Sequence, residues 1–254
     1  MQCLLHSKLF IKFFLESYEN NDIITNCIYD ILSQISLQKE FSSFKPSKLF
    51  DAFGKYHKNF KGYTQHDSQE FLRLLLEDMS KELNLVFDIP KYKELNTFNK
   101  SKKELNINYN KIFLDRENSI IVDLFYSQIC NTFTCAKCYS STFSFEKIID
   151  LPLLLGISIT YIDSESVYDI SDLLSNYFKQ ETIQFDTKCL KCNNKCNHTK
   201  ISKISKLPKI LIITLQRYNY RSKRKNSSKI TFNHTLELMT YVDKDCIGTS
   251  KFNK

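Results

Sequence analysis

Thr134-Cys135-Ala136-Lys137-Cys138 and Lys188-Cys189-Leu190-Lys191-Cys192 decide how this chain is read. Zinc takes four soft or borderline ligands in a tetrahedron, and a two-residue gap lets one tight turn supply two of them, so two Cys-x-x-Cys pairs make a complete set. Fifty residues separate the pairs. A free-standing zinc module spaces its pairs roughly 15–20 residues apart, so the metal is expected to tie two distant hairpins of a larger domain together. Disulfides are the alternative use of the same thiols, and Cys196 and His198, close behind the second pair, are alternative ligands, less favoured because the two pairs already make four. The odd total of nine cysteines, the pair spacing and the absence of a recognisable cleavable leader favour zinc.

A chain of 254 residues with 42% hydrophobic content can bury a substantial core, as one large domain or two small ones. No stretch approaches the roughly 18 apolar residues of a membrane span. Residues 4–15 are apolar but are broken by His6, Lys8 and Lys12 and lack a small-residue cleavage site. They are expected to form an amphipathic helix and not a signal peptide, which places the protein inside the cell, in cytoplasm or nucleus.

The net charge of +8 is local in origin. Residues 188–229 hold thirteen Lys and Arg and no Asp or Glu, so the rest of the chain, with 23 basic and 28 acidic residues, is net −5. Beside a metal site such a stretch is a candidate for binding phosphate backbones. Against that, Arg221, Lys223, Arg224 and Lys225 lie among Ser222, Asn226, Ser227 and Ser228, the composition of a solvated connection. The solvated face is the favoured expectation.

Periodicity organises the remainder. Phe71, Leu72, Leu75, Leu76, Met79 and Leu83 recur at three- and four-residue steps, predicting a core-facing helix over 67–83. Asp67 and Glu70 at its start resemble a capping box and suit the positive end of the helix dipole. Gly62, Tyr63 and Thr64 read as the turn into it. Residues 92–117, rich in Asn, Lys and Ser, are expected to be a surface insertion of marginal structure. Residues 122–134 and 142–149 read as a hairpin with the first Cys pair at its tip, and Cys130 as packed within it. Residues 167–178 return to helical spacing, and 210–215 predict a strand buried on both faces. Helices and strands do not alternate regularly, so the fold class is α+β.

Three segments in this order resemble the catalytic domain of the ubiquitin-specific proteases, papain-like cysteine deubiquitinases. They are Gly62-Tyr-Thr-Gln-His-Asp-Ser-Gln-Glu-Phe-Leu72; Asp123-Leu-Phe followed by Cys135-Ala-Lys-Cys138, Ser144-Phe-Glu146 and Asp150-Leu-Pro152; and Cys189-Leu-Lys-Cys192 followed by Leu207-Pro-Lys-Ile-Leu-Ile-Ile-Thr-Leu-Gln-Arg-Tyr218. The resemblance covers nearly the whole chain. It implies one domain over 1–254 with a helical thumb (1–90), a surface insertion (91–118), and a β palm with zinc-ribbon fingers (119–254), incomplete at both ends. It also implies ubiquitin or ubiquitin conjugates as partner, structural Zn2+ on Cys135, Cys138, Cys189 and Cys192, and substrate contacts from Gln65, Asp67, Glu70 and Phe71. Ubiquitin ends Leu-Arg-Gly-Gly, and carboxylates suit its arginine because charge-assisted hydrogen bonds are roughly twice as strong as neutral ones. Plain helix capping is the alternative role for Asp67 and Glu70.

Hydrolysis at the ubiquitin C-terminus needs a thiolate, a histidine base, a residue that orients the base, and oxyanion donors. The family's boxes for these are not found in the 254 residues. Met1-Gln-Cys-Leu4 resembles the helix just past the nucleophile, and the Phe232 to Leu238 stretch resembles one that precedes the histidine box. No catalytic residue is therefore assigned, and the chain by itself is expected to be inactive unless extended. Cys3, His6, His57, His66 and His234 do not suit an improvised dyad. A non-catalytic ubiquitin-binding scaffold and a zinc-ribbon nucleic-acid binder are the alternatives. No membrane partner is expected, and nucleic acid is not the favoured one.

Overall fold

The structure, a computed structural model, describes residues 2–19, 22–37, 45–62, 64–95, 97, 100–155, 167–184, 188–219 and 223–248. Tyr63, Arg221 and Ser222 lie outside the described residues. The helices are α1 (Gln2–Leu5), α2 (Lys8–Ser17), α3 (Ile23–Leu37), α4 (Ser47–Tyr56), α5 (Ser68–Glu82), α6 (Lys102–Leu114), α7 (Ile120–Phe125) and α8 (Ile170–Tyr177). The longer strands are β1 (Ser127–Cys135), β2 (Ser141–Ile148), β3 (Leu151–Leu154), β4 (Val167–Asp169), β5 (Glu181–Gln184), β6 (Asn197–Lys206) and β7 (Ile213–Gln216). Short strands β8 (Tyr218–Asn219), β9 (Arg224–Lys225) and β10 (Lys229–Thr231) precede the final β11 (Val242–Ile247). None of the described helices is long and apolar enough to cross a membrane. The chain forms two compact units, Met1–Lys91 with Leu114–Leu124, and Tyr92–Phe113 with Phe125–Lys254.

The first unit is helical, and α3 packs against α2, α4 and α5. The apolar stripe of α5 buries Leu75, Leu76 and Met79 completely, as its spacing requires. Its last residue, Glu82, reaches the start of α3 and accepts from Ile24 N (3.0 Å), Thr25 N (2.8 Å) and Thr25 Oγ1 (2.7 Å). One carboxylate thus satisfies amide donors that a helix start leaves without partners. The N-terminal apolar stretch is two helices and not one. Ser7 is extended between α1 and α2 (φ −80, ψ 106), and the turn lets Leu4, Phe10 and Phe14 all be buried. His57 is the C-cap of α4, its backbone N–H donating to Phe53 O. It lies 4.4 Å from the Phe53 ring and its Nε2 is 2.5 Å from Asp78 Oδ2, in a pair that is largely buried.

Gly62 enters α5 with φ +99 and open space around its missing Cβ. The left-handed backbone, not crowding, selects glycine there. Gly62→Ala is expected to destabilise the first unit by about 1 kcal/mol, read as a lowered denaturant midpoint with an unchanged m-value.

The second unit is built on a five-stranded sheet ordered β11-β6-β1-β2, with β5 also paired to β6. β1 is antiparallel to both β2 and β6, and β11 runs parallel to β6. β3 and β7 pair in parallel, from Leu151 opposite Ile213 to Leu154 opposite Gln216. Ile129, Leu151, Leu153, Leu173, Leu174 and Ile204 form the centre of its core.

Four expectations need correction. Residues 120–125 form α7 and not the start of a strand. Ser119 Oγ accepts from Val122 N at 3.2 Å, and buried Ile121, Leu124 and Phe125 stand at the i, i+3, i+4 spacing of a helix face. The helix expected over 167–178 begins at Ile170. Residues 167–169 form β4, and Asp169 accepts from Ser171 N at 2.8 Å to start α8. The strand expected over 210–215 is shorter, and its residues are only half-buried, since the β3–β7 sheet has two strands. The segment 92–117 carries the well-formed α6, held by its interior. Asn106 donates to Asp245 O (2.8 Å) and Ser205 O (3.3 Å), its Oδ1 accepts from Gln128 Nε2, Lys102 pairs with Asp243, and Leu105 packs with Cys130 and Phe145.

Candidate functional site

Each Cys-x-x-Cys pair sits on a knuckle closed by the same two bonds. In the first, Tyr139 N donates to Cys135 O (3.0 Å) and Cys135 N to Ser140 O (3.0 Å); in the second, Asn193 N donates to Cys189 O (2.9 Å) and Cys189 N to Asn194 O (2.9 Å). Both turns need a left-handed residue after the second cysteine, supplied by Tyr139 (φ 56) and Asn193 (φ 53). Asparagine is common there. Tyrosine is not, and no sequence signal marks it. The first knuckle joins β1 to β2, and the second leads through Cys196 into β6, so the pairing of β1 with β6 brings the two together.

The four sulfurs of Cys135, Cys138, Cys189 and Cys192 all lie within 4.8 Å of one another. Cys135 Sγ is 3.9 Å from Cys192 Sγ, and Cys138 Sγ is 3.7 Å from Cys189 Sγ. A tetrahedron with zinc–sulfur bonds of 2.3 Å has edges of about 3.8 Å, so the donor set fits a zinc-sized ion. All nine cysteines are free thiols, and the pairs form no disulfide. Backbone N–H groups of Cys192 and Lys191 hold the Cys189 thiol down at about 5, and the Ser140 hydroxyl (3.0 Å) holds Cys138 below its usual value. A metal ligand must be deprotonated. The surroundings favour the thiolate at Cys189 and Cys138, whereas at Cys135 and Cys192 the backbone hydrogen bonds are outweighed by burial and the neighbouring thiols, which raise the thiol.

The second candidate set is at the start of α5, in the helical unit. Asp67 is the N-cap, its Oδ1 accepting from Gln69 N at 2.7 Å. Gln65, Asp67 and Glu70 are exposed together on this approach and first turn. Phe71 is half-buried, and its ring lies 4.8 Å from Phe53 and 6.2 Å from Phe60. The aromatic cluster fixes the turn that displays the polar residues.

The basic stretch is spread over a knuckle, β6, β7 and short strands. Lys200 lies 3.9 Å from Glu181, Lys203 donates to Thr240 O (2.8 Å), and Arg217 donates to Ser228 O (2.8 Å) and Asn226 O (3.2 Å). Part of its charge is therefore used within the fold.

A profile described as ubiquitin carboxyl-terminal hydrolase matches residues 1–251. The chain belongs to the ubiquitin carboxyl-terminal hydrolase family. Among curated members, ubiquitin carboxyl-terminal hydrolase 2 of Bos taurus is 31% identical over 188 residues, covering 73% of this chain and 30% of that protein. The Gallus gallus protein of the same name is 29% identical over 191 residues, 74% of this chain and 52% of the relative. Ubiquitin carboxyl-terminal hydrolase Usp2 of Drosophila melanogaster is 27% identical over 241 residues, 91% of this chain and 24% of the relative. The chain spans about half or less of the length of these relatives. Among solved structures, a chain of the SAGA Ubp8/Sgf11/Sus1/Sgf73 DUB module bound to ubiquitin aldehyde superposes with TM-score 0.66 at 19% identity, over 95% of this chain and 50% of that one. A variant of the same module, bound to monoubiquitin, gives 0.67 at 18% identity, again over 95% of this chain and 50% of that one. The family's α+β fold is thus the fold of this hydrolase family member.

Proposed function

We propose that this chain forms the ubiquitin-gripping part of a cysteine-type deubiquitinase, with a structural zinc ion in its fingers and the start of α5 reading the ubiquitin tail. Membership of the hydrolase family over residues 1–251 carries the proposal. Two things support it: a sulfur cluster of tetrahedral dimensions, and two carboxylates and an amide exposed one turn apart at the head of α5. Asp67 and Glu70 receive the tail arginine of ubiquitin, Gln65 bonds the extended tail, and Phe71 holds the turn in place. The nine free thiols support a reducing, intracellular setting.

Capping and recognition by Asp67 are separable. Asp67→Asn keeps a side-chain acceptor for Gln69 N while removing the charge. Asp67→Asn with Glu70→Gln is expected to weaken ubiquitin binding by about tenfold to a hundredfold, the worth of one charged hydrogen bond, with thermal stability nearly unchanged. Calorimetry of the full chain with ubiquitin measures it. Unchanged affinity in a folded double variant counts against the assignment.

The 254 residues by themselves are expected to bind without cleaving. Outside the metal cluster, burial pushes Cys130 up to about 11 and raises Cys27 and Cys246, opposite to the needs of a nucleophile. Steady release of aminocoumarin from a ubiquitin–aminocoumarin substrate, above that of a buffer control, would overturn this part.

A further inference from the structure

The four sulfurs do not exhaust the thiols at the fingertip. Cys196, half-buried and four positions past Cys192, has its Sγ 3.2 Å from Cys135 Sγ. That is closer than the Cys135–Cys192 and Cys138–Cys189 separations of 3.9 and 3.7 Å. Cys135, Cys196 and buried His198 form a second group of ligand atoms within 4.8 Å of one another, overlapping the first group at Cys135 alone.

Cys196 is held beside that one vertex from both sides. His198 Nδ1 lies 3.0 Å from the Cys196 carbonyl, and a carbonyl only accepts, so this nitrogen carries the proton and ties the imidazole to the Cys196 backbone. At the next residue Ala136 N donates to Asn197 O (3.0 Å), and β6 begins, in register with β1. The thiol sits next to the Cys135 position because strand pairing puts it there. The gap to be crossed is comparable to the shift of about 3 Å that one χ1 change gives a cysteine sulfur.

We propose that Cys196 is a reserve ligand for the Cys135 vertex, able to complete a four-sulfur zinc site when the Cys135 thiolate is lost or blocked. This rests on the zinc-binding role of the four thiols proposed above. Zinc has no directional preference from its d-electrons and accepts any thiolate that reaches a tetrahedral position. The Cys138 vertex has no such spare. Its near neighbour outside the set is the Ser140 hydroxyl at 3.0 Å, and hydroxyls are poor zinc ligands beside thiolates.

Native mass spectrometry of the full chain purified with zinc tests this. Wild type and Cys196→Ser are each expected to carry one zinc ion, as is Cys135→Ser, whereas Cys135→Ser/Cys196→Ser carries none. In zinc-loaded wild type, Cys196 is expected to react with N-ethylmaleimide; in Cys135→Ser it becomes protected. Loss of zinc from Cys135→Ser, or its retention by the double variant, overturns the proposal. So does loss from Cys196→Ser, which would make Cys196 a standing ligand. A second measurement needs no ligand variant. Transfer of zinc to a chelator is expected to be several-fold faster from Cys196→Ser than from wild type, because the spare thiol recaptures a vertex opened by Cys135, and equal rates overturn the proposal. A metal-free wild type is a different failure, since it removes the four-thiol site itself.

Discussion

Cys138→Ser is expected to leave the purified chain without zinc. The Cys138 vertex has a hydroxyl and no spare thiol beside it, so three sulfurs remain around an ion that needs four ligands. Structural zinc sites contribute apparent binding free energies of roughly 10–16 kcal/mol at neutral pH, comparable to the whole stability of a typical domain. The damage should nevertheless be local. The core around Ile129, Leu151, Leu173 and Ile204 is built from apolar contacts that do not involve the knuckles. Hydrogen exchange is expected to show lost protection at residues 135–140 and 189–200, with amides near Ile129 and Ile204 still protected. Full protection of both knuckles in a zinc-free variant would mean the fingertip folds without metal.

The second large effect is expected from Lys102→Ala. Lys102 pairs with Asp243, whose side chain is 4% exposed. Removing the ammonium strands a buried carboxylate, and breaking one side of a buried pair costs about 3–5 kcal/mol. The lower end applies here, about 3 kcal/mol, because Asp243 also accepts from Asp245 N at 2.9 Å. Lys102→Met with Asp243→Leu is expected to recover most of the loss, since a well-packed apolar pair often replaces a buried ion pair without penalty. Urea unfolding of the three variants measures both steps. If the single substitution costs under 1 kcal/mol, water reaches the pair and the attachment of α6 rests on Asn106 and Leu105 instead.

That attachment marks the limit of what the chain's local pattern tells. α5 was legible because burial repeats at helical spacing inside one element, and α8 because Ile170, Leu173, Leu174 and Tyr177 recur at that spacing, although its start at the Asp169 cap was not read from the sequence. The two knuckles were legible because a two-residue gap is itself a turn specification. Helix α6 was not, because Asn106 is buried by partners 99 and 139 positions away, at Ser205 and Asp245. An asparagine-rich segment looks like an exposed one until those carbonyls are in place. At the candidate site, the approach of Cys196 to Cys135 depends on strand register, and Tyr139 adopts a left-handed backbone against its own preference. The spacing marks Cys196 as an alternative ligand close behind the second pair but does not show which sulfur it approaches, and nothing in composition or spacing marks Tyr139. The displayed head of α5 was legible as capping, and the proposal of a second role for its carboxylates comes from the family likeness alone.

Strand β6 changes neighbours part-way along its length. Asn197 to Lys200 pair with β5, Ile204 and Lys206 pair with β11, and among the described residues positions 201–203 have only β1 beside them. The sulfur cluster at one end and an apolar core at the other bracket two segments of a single strand, leaving a narrow waist between them. The sheet is expected to bend more readily there than on either side. Tilting should concentrate at that waist, so that the tip could follow the curvature of whatever it grasps while its sulfur cage keeps its dimensions.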